Sequence, residues 1–330
     1  MDANQLIKEA EDAVRSACRL CQEVCEEQCG PQAIEKKDKS PVTIADFGAQ
    51  AVISDLLGVA FPHLPLIAEE NADDLRRAEQ AGVKRRMLQY VQNILPHRNE
   101  HEILQVIDRG NYEGGPTGTY WTLDPIDGTK GFLRGQQYAV ALALIQEGEV
   151  VLSVLGCPNL PLDGTNPSSL VGCLFTAVRG DGATMQALTT ENCSSAIQVT
   201  PVAKAIDATF CESVESGHTS HDHAQQIAER LGVTKPPFRI DSQCKYAAIA
   251  RGDASIYLRL PTRADYEEKI WDHAAGYLVV CEAGGRVTDT RGLSLDFSRG
   301  RTLKNNTGVV ATNGHIHSEV IDAVQSVLYS

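Results

Sequence analysis

Residues 121–132 read Trp-Thr-Leu-Asp-Pro-Ile-Asp-Gly-Thr-Lys-Gly-Phe, and they place two carboxylates three positions apart with a proline between them. The β-rich run Thr119 to Leu123 predicts a strand, and Asp124 is expected at its end because Pro125 cannot donate a ladder hydrogen bond. Gly128 then permits a tight turn. Two acidic side chains and any free carbonyl between them would offer the hard oxygen ligands that Mg²⁺ prefers. The alternative is an ordinary Asp-Pro-Gly turn that caps a helix.

The composition is that of a globular protein with room for one large core or two lobes. The chain has 330 residues, of which 42% are apolar and 22% charged. With 43 acidic and 30 basic residues, the net charge is −13. This charge argues against a nucleic-acid partner and against a general anionic-membrane surface. A phosphorylated ligand would therefore need metal ions or a local basic pocket.

The sequence contains no run that approaches ~18 consecutive apolar residues, and its first residues include several acids, so neither a membrane span nor a targeting peptide is predicted. The chain is expected to be cytoplasmic, although an organelle-targeting peptide removed from it would leave no trace. No segment predicts a protein partner.

Ten cysteines are many for a cytosolic chain, but the length is too great for a disulfide scaffold. Cys18, Cys21, Cys25 and Cys29 follow helical spacing and are expected on one side of the first helix. We interpret them as small core residues. A redox switch is the sharper alternative, and zinc is less favoured because ligands on one continuous helix cannot surround an ion tetrahedrally.

Hydrophobic periodicity predicts a succession of elements and two lobes divided near residue 200. Lobe 1–200 is expected to hold an antiparallel sheet and most of the acidic candidates, and lobe 201–330 an α/β arrangement with the last of them, with a cleft between the lobes. The predicted elements are a helix over 2–29, a second helix over 44–53 with Thr43 as its cap, a strand over 64–68, an exposed helical insertion over 71–95, strands over 139–145, 150–155 and 173–178, and helices over 224–231, 247–251 and 272–283.

Further acidic candidates lie outside the first segment. Glu69 and Glu70 follow the short apolar strand, although adjacent glutamates are commonly just a solvated pair. Asp272, in Trp271-Asp272-His273, begins a predicted helix, where Asp is a preferred N-cap. A residue at a cleft-facing helix start can be both cap and ligand.

These segments together resemble the two signatures of the inositol monophosphatase-like, Li⁺-sensitive, Mg²⁺-dependent phosphatases. The residues that carry the resemblance are Glu69-Glu70, Asp124-Pro125-Ile126-Asp127-Gly128-Thr129 and Trp271-Asp272-His273-Ala274-Ala275-Gly276. The resemblance covers nearly the whole chain and implies a layered αβαβα sandwich with the active site in the cleft.

The resemblance also implies roles for individual residues. It implies about two to three Mg²⁺ ions, as multi-metal phosphatase sites use, with inhibition by Li⁺. Asp46 and Thr129 would prepare the attacking water, and Glu70 would be a weaker ligand or support the others. The implied metal ligands are Glu69, Asp124, the carbonyl of Ile126, Asp127 and Asp272. From the residues alone, Thr129 is equally a turn hydroxyl and Asp46 a surface carboxylate.

Three later segments resemble the 3′(2′),5′-bisphosphate nucleotidase branch of that family. They are Gly217-His218-Thr219-Ser220-His221, Asp241-Ser242-Gln243-Cys244-Lys245-Tyr246 and Tyr257-Leu258-Arg259-Leu260-Pro261. The resemblance implies hydrolysis of 3′-phosphoadenosine 5′-phosphate to AMP and phosphate, with related sulfate-activated nucleotides of sulfur assimilation as further substrates. It places Ser242, Lys245 and Arg259 at the retained 5′-phosphate, His218 at the adenosine, and Gly128, Thr129 and Asp272 in contact with substrate.

Two other functions stay open at this point. An inositol polyphosphate 1-phosphatase or inositol monophosphatase would use the same metal site. A catalytically silent nucleotide sensor would keep the pocket without turnover, but every residue that matches a ligand is present. His218 and Lys245 are also compatible with a structural turn histidine and a Lys–Asp surface pair.

Overall fold

The computed structural model describes residues 2–28, 40–166, 168–190, 193–214, 221–261, 263 and 266–329. The helices in these ranges are α1 (Ala3–Gln28), α2 (Ser40–Ala60), α3 (Ala81–Ile94), α4 (Glu100–Asp108), α5 (Thr129–Leu133), α6 (His221–Arg230), α7 (Cys244–Ala250), α8 (Ala274–Glu282) and α9 (His317–Leu328). Short 3₁₀ turns lie at Asp74–Arg76, Ala78–Gln80 and Ala205–Asp207.

The strands form two sheets. The first sheet has the strand order of the chain, β1 (Leu66–Ala68), β2 (Thr119–Asp127), β3 (Ala139–Gln146), β4 (Glu149–Pro161), β5 (Val171–Val178), β6 (Gly182–Ala187) and β7 (Ser195–Ala196). The second has the order β11-β12-β10-β8-β9, from β8 (Phe210–Glu212), β9 (Phe238–Arg239), β10 (Ile256–Arg259), β11 (Arg286–Thr288) and β12 (Val309–Thr312).

The first sheet is antiparallel from β2 to β7, as predicted, and only β1 joins it in the parallel sense. Consecutive strands pair, as in a chain of hairpins. In β3 the larger residues Val140, Leu142 and Leu144 face one core, whereas Ala139, Ala141 and Ala143 face another. Because both faces are covered, the strand is apolar almost throughout.

Five layers account for the buried residues. Helices α1 and α2 cover one face of the first sheet, α7 and α8 lie between the two sheets, and α6 and α9 cover the far face of the second. The αβαβα sandwich is therefore confirmed. The middle helices come from residues 244–282 but pack against both sheets, and the division into lobes at residue 200 stays a prediction.

The local predictions near the N-terminus need two corrections. Helix α2 begins at Ser40, so Thr43 lies inside the helix and is not its cap. Pro41 falls in the first turn, where a missing backbone N–H costs nothing. The predicted exposed insertion is also partly wrong, because α3 buries Met87, Tyr90 and Val91 against the core beneath α1 and α2.

Helix α2 is unusually apolar. By length and composition its segment Val42–Ala60 could cross a membrane, with a mean hydropathy of 1.4, but 78% of that window is buried inside the protein. This burial is typical of a core helix, which α2 is in the first layer.

Candidate active site

A cavity of about 420 Å³ opens between the C-terminal end of β2 and the middle helices. It brings together predicted site residues that lie up to 203 positions apart in the chain (272 − 69). Those that line it are Glu69, Asp124, Ile126, Asp127, Gly128, Thr129, Ser242, Lys245, Arg259 and Asp272. Of the other predicted residues, Asp46 and Glu70 are not among those that line the cavity, although Asp46 is close enough to Glu69 and Glu70 for their charges to raise its pKa, and His218 is outside the described residues.

A β-bulge, and not a strand end, brings Asp124 and Asp127 to the cavity. Strand β2 continues to Asp127, so the predicted end at Asp124 is wrong. Asp124 pairs with Ala141 and Asp127 with Ala139, so three steps along β2 match two along β3. The extra residue turns both carboxylates to one side, and Pro125 is tolerated because a bulge needs no donor there.

The loop after β1 is fixed from α2. The fully buried Gln50 donates from Nε2 to the carbonyls of Glu70 (2.6 Å) and Ile107 (2.9 Å), and its Oε1 accepts from the Glu70 N–H (3.0 Å). Asp46 lies one helical turn before Gln50 on the same face. The same helix therefore holds the glutamate loop through Gln50 and carries the buried carboxylate of Asp46 close to it.

Asp272 is not a helix cap. Helix α8 begins at Ala274, and the N-cap position belongs to His273, whose side chain makes no capping hydrogen bond. Asp272 lies in the preceding turn, and its Oδ2 accepts from Arg259 Nη2 at 3.2 Å. The predicted cap is therefore wrong, and the side chain faces the cavity instead.

Glu69, Asp124, Asp127 and Asp272 form what we call the acidic wall. Burial raises the pKa of Glu69 to about 8, and the nearby charges of Asp272, Glu70 and Asp127 add to this shift. A hydrogen bond with Asp124 acts in the opposite direction and lowers the pKa of Glu69. Burial also raises the pKa of Asp124 well above its ordinary value, and Glu69, Asp127 and Asp272 add to this. Close carboxylates without cations repel one another, which disfavours their charged forms.

The composition of the acidic wall suits a divalent cation. Asp124 Oδ1 is buried and finds no hydrogen-bond partner among the described residues. A buried polar atom rarely lacks a hydrogen-bond partner within the protein unless an ion or an ordered water binds it. Clustered carboxylate oxygens are the ligand set that hard cations prefer.

Ser242, Lys245 and Arg259 line the same cavity and form what we call the basic wall. Lys245 is buried, so the predicted alternative of a surface Lys–Asp pair is wrong. Its Nζ lies 5.2 Å from the Tyr257 ring centroid, and burial lowers its pKa although Asp127 raises it. Arg259 Nε contacts Glu268 Oε2 at 2.8 Å. The basic wall thus already has partners within the chain.

The two walls meet at a close backbone approach. Gly128 has a φ of +94°, and a Cβ there would lie 2.8 Å from Cβ of Ser242. Ser242 itself is left-handed at φ +65°, and Asp127 Oδ2 accepts from the following Gln243 N–H at 2.5 Å. Only glycine allows this approach at 128, since any side chain would meet the Ser242 segment.

Sequence reasoning missed the side chains that connect these segments. Gln243 donates from Nε2 to the Trp271 carbonyl (2.8 Å) and accepts from the Gly276 N–H (3.0 Å). Glu268 contacts both Arg259 and His273 Nε2, the latter at 3.1 Å. Gln243 lies inside a quoted segment and Glu268 three residues before another, but the sequence gives no sign of which partner each polar side chain contacts.

The cysteine stripe lies in the core. Cys18 and Cys21 are fully buried and Cys25 is partly buried, while Cys29 falls outside the described residues. Burial raises the pKa of Cys18 and of Cys21 well above the ordinary value. Such thiols behave as small apolar residues, which agrees with our interpretation, because the thiolate is the reactive form.

Comparison with known proteins identifies the family. The model of the inositol monophosphatase family matches residues 2–329. The chain belongs to the inositol monophosphatase family. Proteins of this family are generally metal-dependent, which agrees with the composition of the acidic wall.

Relatives within the inositol monophosphatase family share nearly half of their residues with this chain. A protein of Schizosaccharomyces pombe named 3′(2′),5′-bisphosphate nucleotidase is 47% identical over 331 residues, covering 96% of this chain and 93% of its own length. The protein of that name from Emericella nidulans is 46% identical and covers 97% of each chain. The predicted branch is therefore confirmed at the level of homology.

Solved structures of the family share the fold. The inositol monophosphatase of Anabaena superposes with a TM-score of 0.64 over 99% of this chain and 97% of its own, at 19% identity. Mycobacterium tuberculosis SuhB gives a TM-score of 0.62, covering 99% of this chain and 98% of its own, also at 19% identity. At such identities the likeness concerns the fold alone.

Proposed function

We propose that this protein is a Mg²⁺-dependent phosphomonoester hydrolase that removes the 3′-phosphate from 3′-phosphoadenosine 5′-phosphate and releases AMP and phosphate. The observation that carries the proposal is the presence of the acidic wall and the basic wall in one cavity. A bisphosphorylated nucleotide needs both walls. The acidic wall with its metal ions would bind the 3′-phosphate that leaves, and the basic wall would bind the 5′-phosphate that stays. The names of relatives that match over nearly the full length support this substrate. Close analogues, 3′-phosphoadenosine 5′-phosphosulfate and 2′-phosphoadenosine 5′-phosphate, fit the same scheme.

The acidic wall would hold about two to three Mg²⁺ ions, as expected for two-metal phosphatase chemistry. Bound there, Mg²⁺ lowers the pKa of water, neutralises phosphoryl oxygens and stabilises the leaving alkoxide. Glu69, Asp124, Asp127, Asp272 and the Ile126 carbonyl are the proposed ligands, with Glu70 as a weaker ligand or a support. Li⁺ inhibition is part of the same proposal.

Asp46 and Thr129 are proposed to prepare the attacking water. Asp46 is buried in α2, and burial with the charges of Glu70 and Glu69 raises its pKa. A carboxyl with a raised pKa is a better proton acceptor when it is ionised. Thr129 is the first residue of α5 and lines the cavity, so its hydroxyl can orient a water beside Asp127.

The basic wall is proposed to hold the 5′-phosphate. Lys245 supplies a buried charge and Arg259 a planar guanidinium, which suits phosphate oxygens. The contacts of Arg259 with Glu268 and Asp272 use Nε and Nη2, and an arginine has five N–H donors in all. Substrate phosphate and the two carboxylates can therefore share one guanidinium. His218 is proposed to contact the adenosine.

Inositol phosphatase activity is the weaker candidate. The relatives at 46–47% identity are named 3′(2′),5′-bisphosphate nucleotidase, whereas the inositol monophosphatase of Anabaena is only 19% identical to this chain. A silent sensor is weaker still, because the main proposed metal ligands all line the cavity, namely Glu69, Asp124, Ile126, Asp127 and Asp272.

Phosphate release from 3′-phosphoadenosine 5′-phosphate tests the proposal directly. The same assay is run with inositol 1,4-bisphosphate and inositol 1-phosphate, each with Mg²⁺ or with EDTA. We expect fast release from the nucleotide and none with EDTA. Preference for an inositol would retain the acidic wall and reject the assignment of the basic wall, whereas binding of the nucleotide without release from any substrate would favour the sensor.

A further inference from the structure

We propose that Arg301 is a positioning residue that fixes the loop of Glu69 against the turn of Asp272 and thereby sets the affinity of the acidic wall for divalent cations. This inference rests on the proposed function, since it takes the acidic wall as a metal site. Arg301 lies outside the cavity and outside every motif that the sequence analysis singled out.

On one side, Arg301 holds the segment that delivers Glu69. Its Nη2 donates to the carbonyl of Ala68 at 2.6 Å, directly before Glu69. Its Nη1 donates to the carbonyls of Gly110 at 3.1 Å and Tyr112 at 3.0 Å. The segment that carries Gly110 is paired with β1, because the Ala68 N–H donates to the Gly110 carbonyl at 2.9 Å. One guanidinium thus donates hydrogen bonds to three backbone carbonyls on two paired segments.

On the other side, the same residue holds the turn that delivers Asp272. The guanidinium carbon of Arg301 lies 4.9 Å from the ring centroid of Trp271, directly before Asp272. The Arg301 carbonyl also accepts from the Ile270 N–H at 3.2 Å. Lys269 and Thr302 form an isolated antiparallel bridge beside it. Ala68, which precedes Glu69, and Trp271, which precedes Asp272, therefore both contact the Arg301 side chain.

The geometry requires arginine. A planar guanidinium can donate in its own plane while its face lies on an aromatic ring, whereas an ammonium is a compact point charge. Among the described residues, no carboxylate lies within salt-bridge distance of Arg301, so its contacts are to carbonyls and to the ring. Burial lowers its pKa, although Glu113 raises it.

These contacts matter for a metal site because its ligands come from distant parts of the chain. Glu69 and Asp272 must keep a fixed separation for both to bind the same ion or neighbouring ions. Residues that orient ligands without touching the metal change metal affinity by about 10- to 100-fold when they are replaced. Arg301 is the side chain that contacts the residue before each of these two ligands.

Mn²⁺ binding provides a readout that does not depend on turnover. Free Mn²⁺ is measured by electron paramagnetic resonance while the ion is titrated into wild-type protein, Arg301→Met, Arg301→Lys and the matched control Arg299→Met. Arg299 is a nearby, half-exposed arginine whose Nε contacts Asp296 at 2.9 Å, and it contacts neither ligand segment. All titrations are made well below the unfolding temperature of each variant, and Asp272→Asn serves as a variant with a damaged site.

We expect Mn²⁺ affinity to fall about tenfold or more in Arg301→Met and to stay unchanged in Arg299→Met. Arg301→Lys separates geometry from charge, because it keeps the charge but cannot reproduce the contacts, so we expect it to lose affinity as well. At saturating Mg²⁺ both Arg301 variants should recover most of the turnover.

Wild-type Mn²⁺ affinity in a folded Arg301 variant would overturn the inference, even if its Tm were lower, because the residue would then be merely structural. If Arg301→Met does not fold, Arg301→Lys decides by the same criterion. The proposed function fails separately: a wild-type protein that binds Mn²⁺ but releases no phosphate from the nucleotide would reject the function and leave the role of Arg301 in place.

Discussion

The two walls of the cavity differ in where their partners come from. On the basic wall, Arg259 already contacts Glu268 and Asp272 within the chain. On the acidic wall, Asp124 keeps a buried oxygen without a hydrogen-bond partner among the described residues, and burial raises the pKa of the neighbouring Glu69. Arg259 on the basic wall is therefore paired without a ligand, whereas the buried Oδ1 of Asp124 on the acidic wall is left for a ligand to bind. Charge alone therefore does not tell which part of a site depends on a ligand for its stability.

The largest effect should come from Asp124→Asn. This change keeps the shape of the side chain and removes one charge from the acidic wall. We expect turnover to fall by about a thousandfold or more, because metal-ion stabilisation of the transition state is worth several kcal/mol. In EDTA the variant should be at least as stable as the wild type, since one source of repulsion is gone. Steady-state kinetics and urea unfolding measure the two effects.

The matched control for this variant is Asp322→Asn, which removes an exposed carboxylate from α9, far from the cavity. It should change neither turnover nor stability in EDTA. Asp124→Asn protein that retains Mg²⁺-dependent turnover would contradict the assignment of the acidic wall.

A smaller effect is expected from Arg259→Ala on the basic wall. The KM for 3′-phosphoadenosine 5′-phosphate should rise by about 10- to 100-fold, because a charged hydrogen-bonded pair with phosphate is worth roughly 1.5–3 kcal/mol. A substrate with one phosphate, 3′-AMP, should be affected much less. Steady-state kinetics on both substrates provide the comparison, with the exposed Arg239→Ala as the control.

Equal losses on the two nucleotides would mean that Arg259 does not hold the second phosphate. Its contacts with Glu268 and Asp272 would then be its whole role, and the comparison between the walls would have to be redrawn.

The smallest effect is expected at His317, a buried titratable group that does not line the cavity. His317 is buried between Thr288 and Thr312, and burial, with Arg286, lowers its pKa to about 4. The unfolded chain, with a pKa near 6.5, binds the proton more readily. The contribution of neutral His317 to stability is therefore complete above pH 6.5 and is lost as the pH falls towards 4.

Urea unfolding at pH 7 and pH 5 measures this contribution. The wild type should lose roughly 1–2 kcal/mol more than His317→Gln does between the two pH values. The exposed His315→Gln should follow the wild type. Parallel pH profiles for wild type and His317→Gln would show that burial does not shift this group.

The sequence predicted the chemistry of the cavity better than its geometry. The acidic candidates at 69, 124, 127 and 272 were found because residue type and local order are visible in the chain, and the structure brings them together. The bulge at Pro125 was missed because it depends on the register with Ala139 and Ala141 on another strand. Asp272 was expected to be a cap from its local preference, but the helix begins two residues later.

Long-range contacts were beyond local reasoning altogether. Arg301 and Ala68 are 233 residues apart, and nothing near either residue in the sequence indicates that one bonds to the other. Gln50 and Gln243 likewise read as ordinary polar residues, yet both are buried and connect the segments that carry the carboxylates. The family resemblance predicted the site residues because a family's motifs reflect the folded structure, although they do not reveal the individual contacts.

The strand order of the two sheets has a consequence for how the protein folds. Strands β2 to β7 pair in chain order, so the sheet that carries Asp124 and Asp127 can form from successive hairpins with short loop closures. The second sheet pairs out of order, and its formation must bring distant segments together. We therefore expect a refolding chain to acquire its first sheet early and to complete its cavity last, when the turn of Asp272 reaches the loop of Glu69. Recovery of metal binding should accordingly lag behind recovery of β-structure.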